Sequence, residues 1–403
     1  MFEQIRANKR RSAVLIVVMA VLLFSIGYFV GAAYLGDGLS GLVIAFIIWL
    51  ILTLISYNSG DSIFLSVSGA RKIKPDDHPV LWNVVEEMKI ASGLPKMPDV
   101  YIIDDPSPNA FATGRNPEKS AVAVTAGLLE TLNRSELQGV MAHELGHVKN
   151  RDILYMMMIG VMVGAIALIA DVAMRMLFFG GMGRRRTSSK DSGGGQAIVM
   201  VIALVLIILA PIIAQIVYFA VSRKREYLAD ASAAQFTRYP EALASALEKI
   251  SGKPQKMKNV SKVVAPSYII DPTLSAASHK RTKANLFSTH PPTAERIRIL
   301  RTMAGGAGFA DYDNAFKQVT GKPVGVIPFQ EIKTSQKVPI EKPAAAGDQR
   351  IDRVRQTNDA LWKMNKFGFI NCTCGTTLKV PPELAGKQIM CPHCGSEYSA
   401  PAA

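Results

Sequence analysis

The chain has 403 residues, enough for two or three structural units. Hydrophobic residues make up 49% of it and the mean hydropathy is +0.19, which points to a membrane protein. Its 46 Lys and Arg against 32 Asp and Glu leave a net charge of +14, read as basic flanks of membrane spans facing anionic lipid rather than as a nucleic-acid surface, and its 4 cysteines are too few and too local for a disulfide-stapled secreted fold.

Residues 1–11 carry Arg6, Lys9, Arg10 and Arg11, and Ala13 to Leu35 then runs 23 residues without a charge. That length crosses a hydrocarbon core about 30 Å thick. A signal peptide shares the basic start and the small Gly31-Ala32-Ala33. Signal h-regions reach only about 7–15 residues, however. A second charge-free run, Gly38 to Ser59, follows at once. The two runs are expected to form a hairpin with the basic N-terminus inside, returning the chain to the cytoplasm.

Residues 60–150 read as soluble, with Arg71, Lys72 and Lys74 close to the membrane exit. Pro79 to Ala91 is predicted as an amphipathic helix through Val80, Leu81, Val84, Val85 and Met88. Strands are predicted at Val100 to Ile103 and Ala121 to Thr125, and a helix starts over Ala126 to Thr131. Asn109 to Gly114 reads equally well as ordinary sheet or as an edge strand able to pair with an extended peptide.

Met141-Ala142-His143-Glu144-Leu145-Gly146-His147-Val148 contains H-E-x-x-H. Residues four apart on a helix share a face, so His143 and His147 can grip one ion, and zinc suits imidazole nitrogen. Glu144 then lies beside the metal, placed to take a proton from zinc-bound water. Ser135 is the expected N-cap, with Gln138 closing a capping box. Leu137, Met141, Leu145 and Val148 form an apolar stripe that leaves both histidines on another side.

Ile153 to Ala170 is 18 residues without charge, a minimal span. Its start is about 9 Å from His147 if the helix continues, which sets the metal at the membrane surface. Residues 180–195, with Arg184-Arg185-Arg186, read as a flexible loop, and Ala197 to Val221 is a further charge-free run containing Pro211. A full crossing puts Arg184 to Lys190 outside, against the charge bias, so a partial crossing is the alternative.

A catalytic zinc needs a third protein ligand and an open position. Glu226 in Arg225-Glu226-Tyr227-Leu228-Ala229-Asp230 is the best downstream candidate; a solvated charged helix outside the bilayer explains the same residues without one. Asp230, one turn later, can accept the outer ring N–H of a zinc histidine. Residues 238–305 read as soluble and helical, with a turn at Thr289-His290-Pro291-Pro292 and a helix from Thr293 to Met303. His290 can donate to the oxyanion of a tetrahedral intermediate, or simply mark a helix-entry turn. Arg296 can pair with a carboxylate at the site, whereas His78 and His279 read as surface residues.

The ordered set Asn109-Ala110-Phe111-Ala112-Thr113-Gly114, His143-Glu144-Leu145-Gly146-His147, Glu226 to Asp230 and Ser288-Thr289-His290-Pro291-Pro292-Thr293 resembles the HtpX-like membrane zinc metalloproteases, gluzincins of the CAAX prenyl protease clan. The resemblance covers about residues 1–305. It implies zinc on His143, His147 and Glu226, Glu144 as general base and Asp230 behind the ligands. It also implies endoproteolysis of membrane or misfolded proteins at the cytoplasmic face of a bacterial inner membrane.

The C-terminus departs from that pattern. Residues 321–350 are rich in Pro, Lys and Ala, and the pairs Cys372/Cys374 and Cys391/Cys394 follow, separated by 16 residues. Each pair has a trailing glycine, the signature of a zinc ribbon whose four thiolates close a structural site, with His393 a bystander. Reduced thiols agree with a cytosolic C-terminus. Few aromatics lie near the module, which weighs against nucleic acid as its partner.

The expectation is therefore an α+β, mainly helical polytopic membrane protein. It divides into a two-span hairpin (1–59), a gluzincin-like metalloprotease domain (60–320) that includes the hydrophobic hairpin 153–221, a linker (321–365) and a zinc ribbon (366–400). Its expected activity is zinc-dependent endopeptidase action on protein substrates at a lipid bilayer, with one catalytic and one structural Zn2+ and both termini cytoplasmic. The rival is a non-catalytic membrane scaffold presenting the ribbon to protein partners; a base at Glu144 argues against it.

Overall fold

The computed structural model describes residues 2–34, 36–179, 193–252, 255–257, 265–270, 272, 290–303, 305–325, 327, 332, 338–342 and 350–401. His279 and the loop with Arg184 to Arg186 lie outside them. Helices dominate and frame one small sheet, the α+β architecture expected.

The membrane part is built from α1 (Phe2–Tyr34), α2 (Gly38–Val67), α6 (Asp152–Phe179) and α7 (Gly193–Thr237). Asp37 caps α2 by accepting from the Leu39 and Ser40 amides, which fixes the turn between the first two helices. A Cβ on Gly31 would sit 2.6 Å from Gly41 Cα, so only glycine lets these two backbones touch. Met19, Leu23 and Ile26 of α1 are buried against Met162 and Ile166 of α6 and Ala210 and Ala214 of α7. Outward side chains such as Val17, Val21, Ile44, Ile51 and Val201 stay exposed, as lipid-facing positions do. Among the described residues, Ile16–Ala33, Gly38–Ile55 and Ile198–Ile216 are long and apolar enough to cross a membrane. The 28-residue α6 packs beside them, against α1, α2 and α7.

The sheet runs β1-β2-β4-β3, with β1 (Ala70–Lys72), β2 (Asp99–Ile103), β3 (Ala110–Asn116) and β4 (Lys119–Thr125). Its β2–β4 pair is parallel and its other two pairs are antiparallel. The β3 strand lies at the edge of the sheet, the position the second reading of residues 109–114 required. Part of that edge is already occupied. The Ile269 amide donates to the Ala110 carbonyl at 2.9 Å, and Asn109 Nδ2 donates to the Ile270 carbonyl at 2.8 Å.

Around the sheet lie α3 (Pro79–Ser92), α4 (Ala126–Thr131), α5 (Arg134–Lys149), α8 (Pro240–Gly252), α9 (Thr293–Thr302) and α10 (Phe309–Thr320). One core joins Leu81, Val84 and Val85 of α3 to the strands, to Leu137, Met141, Leu145 and Val148 of α5, and to the end of α7. The predicted stripe on α5 is thus the packed face. Its cap differs from the expectation: Asn133 is the N-cap and Glu136 closes the box. The reason is tertiary. Glu136 is buried and also accepts from Ser245 and Lys249 of α8, while Gln138 reaches Glu87 of α3.

Helix α5, expected to continue toward the membrane, also does not run straight into α6. It stops at Asn150, and Arg151 adopts φ +56°, a left-handed turn, before α6 starts at Asp152. By contrast α7 is one 45-residue helix with Pro211 inside it.

The stretch expected as linker, 321–365, contains a helix, α11 (Arg350–Met364). This helix explains a second correction. His78, expected at the surface, is fully buried beneath it. His78 Nδ1 caps α3 by accepting from the Leu81 amide, and Nε2 lies 3.1 Å from Thr357 Oγ1 of α11. Burial pushes the ring pKa down to about 4, so it stays neutral and able to accept. Arg71 to Asn365 at 2.8 Å and Lys363 to Asp77 at 3.5 Å complete the docking. Two hairpins follow, β5 (Gly368–Asn371) with β6 (Thr377–Val380) and β7 (Gln388–Met390) with β8 (Glu397–Ser399).

Candidate metal centre

His143 and His147 leave α5 one turn apart, their rings perpendicular and 4.8 Å between centroids. Gly146 between them admits α7: a Cβ there would lie 3.1 Å from Ser232 Cβ and 3.4 Å from Ala229 Cα. That close approach brings Glu226 to the pair. Its Oε2 lies 3.5 Å from His143 Nε2 and its Oε1 lies 3.4 Å from His147 Nε2.

These separations fit a metal. Nitrogen and oxygen ligands about 2.0–2.2 Å from a tetrahedral zinc stand roughly 3.4 Å from one another. His143 Nε2 is buried and makes no hydrogen bond, as a nitrogen aimed at an ion would be. A ligand atom from each of His143, His147 and Glu226 falls within 4.8 Å of the others.

The outer ring nitrogens are held in turn. His143 Nδ1 lies 3.0 Å from Asp230 Oδ1, and His147 Nδ1 lies 3.6 Å from Asp152 Oδ2. Asp230 accepts from Nδ1 of His143 and so leaves that ring's Nε2 lone pair facing the centre, whereas the Asp152 oxygen stands just beyond hydrogen-bond reach of His147 Nδ1. Arg296, fully buried, grips Asp230 with Nε at 2.8 Å and Nη2 at 2.7 Å, and its Nη1 comes within 3.2 Å of Glu226. So the carboxylate expected for Arg296 is Asp230.

The electrostatics follow from this crowding. Burial opposes charge on both carboxyls, but His290, His143, His147 and Arg296 outweigh it at Glu226 and Arg296 and His143 outweigh it at Asp230, holding both below their usual range. Burial also opposes charge on His147, yet Asp152 and Glu226 raise it to about 10. The same balance, through Asp230 and Glu226, raises His143. Glu144 is buried too, and burial pushes its carboxyl up against the opposing pull of His143 and His147. A raised carboxyl is suited to carrying a proton near neutral pH. His290 is buried with Nε2 3.9 Å from Glu226 Oε2, so the proline turn does deliver it to the centre.

Two charged residues at the centre were not singled out as site residues from the sequence, Asp152 and Arg225. In the sequence both look like ordinary charges at the ends of apolar runs.

The second cluster lies between the hairpins of the C-terminal module. Cys372 Sγ is 3.2 Å from both Cys374 and Cys394, and Cys374 is 3.8 Å from Cys391. Thiolates about 2.3 Å from a tetrahedral zinc stand roughly 3.8 Å apart, so the four sulfurs fit one ion, and His393 is not among them. The Tyr398 hydroxyl donates to Cys372 at 3.2 Å and, as the largest cause, lowers its thiol to about 5.

Residues 75–304 match the family described as Peptidase family M48. A protein called Protease HtpX homolog from Dictyoglomus turgidum is 45% identical over 302 residues, 75% of this chain and 94% of that one. One of the same name from Listeria monocytogenes serovar 1/2a is 46% identical over 308 residues, 75% of this chain and 100% of that one. Among solved structures, that of S. mikatae Ste24p aligns with a TM-score of 0.41 and 16% identity, covering 74% of this chain and 67% of that one. The C-terminal module with its four cysteines lies beyond the matched family segment. On these matches the chain is a metalloprotease belonging to peptidase family M48, with HtpX homologues as its relatives.

Proposed function

We propose that the chain is a membrane-bound zinc endopeptidase that cleaves membrane or misfolded proteins at the cytoplasmic face of a bacterial inner membrane. His143, His147 and Glu226 hold the catalytic zinc. The observation that carries the reading is the buried His143 Nε2, which has no hydrogen-bond partner and faces Glu226 across 3.5 Å. Zinc bound there supplies Lewis acidity to the attacking water and to the scissile carbonyl.

The chain's own groups do the rest. Glu144 takes a proton from the attacking water and passes it to the leaving amine. Asp230, fixed by Arg296, holds His143 in the ligating tautomer. His290 donates to the carbonyl oxygen as negative charge develops on it. The four cysteines hold a second, structural zinc; as free thiols they suit a reducing compartment, in line with the basic N-terminus on the cytoplasmic side.

The test is Glu144→Gln. Zinc stays bound at the wild-type level while cleavage of a casein or membrane-protein substrate falls by orders of magnitude. Unchanged cleavage removes Glu144 as the base.

A further inference from the structure

We infer that Asp152, anchored by Arg225, is the positioning residue of His147 and sets how tightly the protease centre holds its metal. The inference rests on the ligand assignment above and deepens it.

The local chain is shaped for this contact. Arg151 at φ +56° ends α5 abruptly, so Asp152 starts α6 beside the last turn of α5 instead of continuing away from it. Asp152 is 1% exposed, and its Oδ2 lies 3.6 Å from His147 Nδ1. The other ring nitrogen, Nε2, faces Glu226 Oε1 at 3.4 Å. That 3.6 Å separation is just beyond a direct hydrogen bond; a closure of a few tenths of an ångström lets the carboxylate fix which nitrogen carries the proton and how the ring is turned.

A lone buried carboxylate would be costly, and Arg225 answers for it. Its Nη1 donates to the Asp152 carbonyl at 3.1 Å and lies 3.5 Å from Asp152 Oδ1. Arg225 precedes Glu226 on α7. One helix therefore delivers both the third ligand and the anchor behind the second histidine. The arrangement is a looser version of that around His143, where Asp230 meets the ring at 3.0 Å and Arg296 grips Asp230. A salt bridge serving only to tie α6 to α7 would need no oxygen at the imidazole.

The experiment uses the full-length chain in detergent. Zinc affinity of the protease centre is measured by chelator competition with elemental analysis, and the four-cysteine site in the same molecule is the internal reference. Asp152→Leu removes the acceptor, and its zinc affinity is expected to fall about 10–100-fold. Asp152→Asn keeps an oxygen for Nδ1–H but no charge for Arg225, and is expected to recover most of the affinity. Arg225→Met, which leaves Asp152 unanchored, weakens binding several-fold and stands in for Asp152→Leu if that variant does not fold.

Wild-type affinity in Asp152→Leu, or in Arg225→Met standing in for it, overturns the inference. So does an Asp152→Asn protein as weak as either variant, since a plain salt-bridge role predicts that result. His147→Ala separates the two levels of argument. If it keeps the zinc, the ligand assignment itself fails; if it loses the zinc while the Asp152 variants bind normally, only the present inference fails.

Discussion

Glu226 Oε2 stands 3.5 Å from His143 Nε2, although the two residues come from different helices, α7 and α5, with all of α6 between them in the chain. The close packing at Gly146 produces this meeting. For Glu226→Ala the expected result is loss of zinc from the protease centre alone. Elemental analysis should fall from two zincs per chain to one, in keeping with the two ligand clusters. Retention of both removes Glu226 from the centre.

Arg296 neutralises Asp230 where neither touches water. Replacing it with methionine strands a buried carboxylate, a change that costs about 3–5 kcal/mol in comparable pairs. Arg296→Met should therefore lower the unfolding midpoint of the metal-free protein in a thermal melt by several degrees. Arg298→Met, on the exposed side of the same helix, is the matched control.

His78 predicts an acid sensitivity far from the metal. Its folded-state pKa of about 4 lies below the usual 6.5. Stability from the neutral ring is complete above about pH 6.5 and is lost as pH falls toward about 4, up to about 3 kcal/mol in all. His78→Asn keeps an N-cap but cannot titrate. Between pH 7 and 5 its unfolding midpoint should fall less steeply than that of the wild type; parallel slopes would argue against a buried neutral ring.

The convergence of His143, His147, Glu226, Asp230 and His290 was legible in the sequence. Metal ligation demands particular donor types, and helical spacing puts them on known faces. Strands β2 and β4 and most helices were legible for the same kind of reason, a short period in the apolar pattern, whereas the sequence left the edge position of β3 open. What escaped depends on contacts between distant segments. Glu136 displaced Gln138 in the cap because α8 supplies its partners, and His78 is buried because α11 lies over it. Asp152 and Arg225 resemble ordinary charges flanking a span until the left-handed Arg151 folds one of them back.

The unbroken length of α7 has a mechanical consequence. At about 1.5 Å per residue, the ten residues from Ile216 to Glu226 place the Glu226 carboxylate roughly 15 Å past the apolar stretch on one continuous helix. A bilayer that thickens, thins or tilts this helix therefore has two outlets for the displacement. Either the kink-prone Pro211 absorbs it, or the carboxylate is drawn along the axis against imidazoles fixed to another helix. In the proposed centre, the membrane-facing stretch and the third ligand thus share one helix, and a change in bilayer thickness is expected to reach the metal through it.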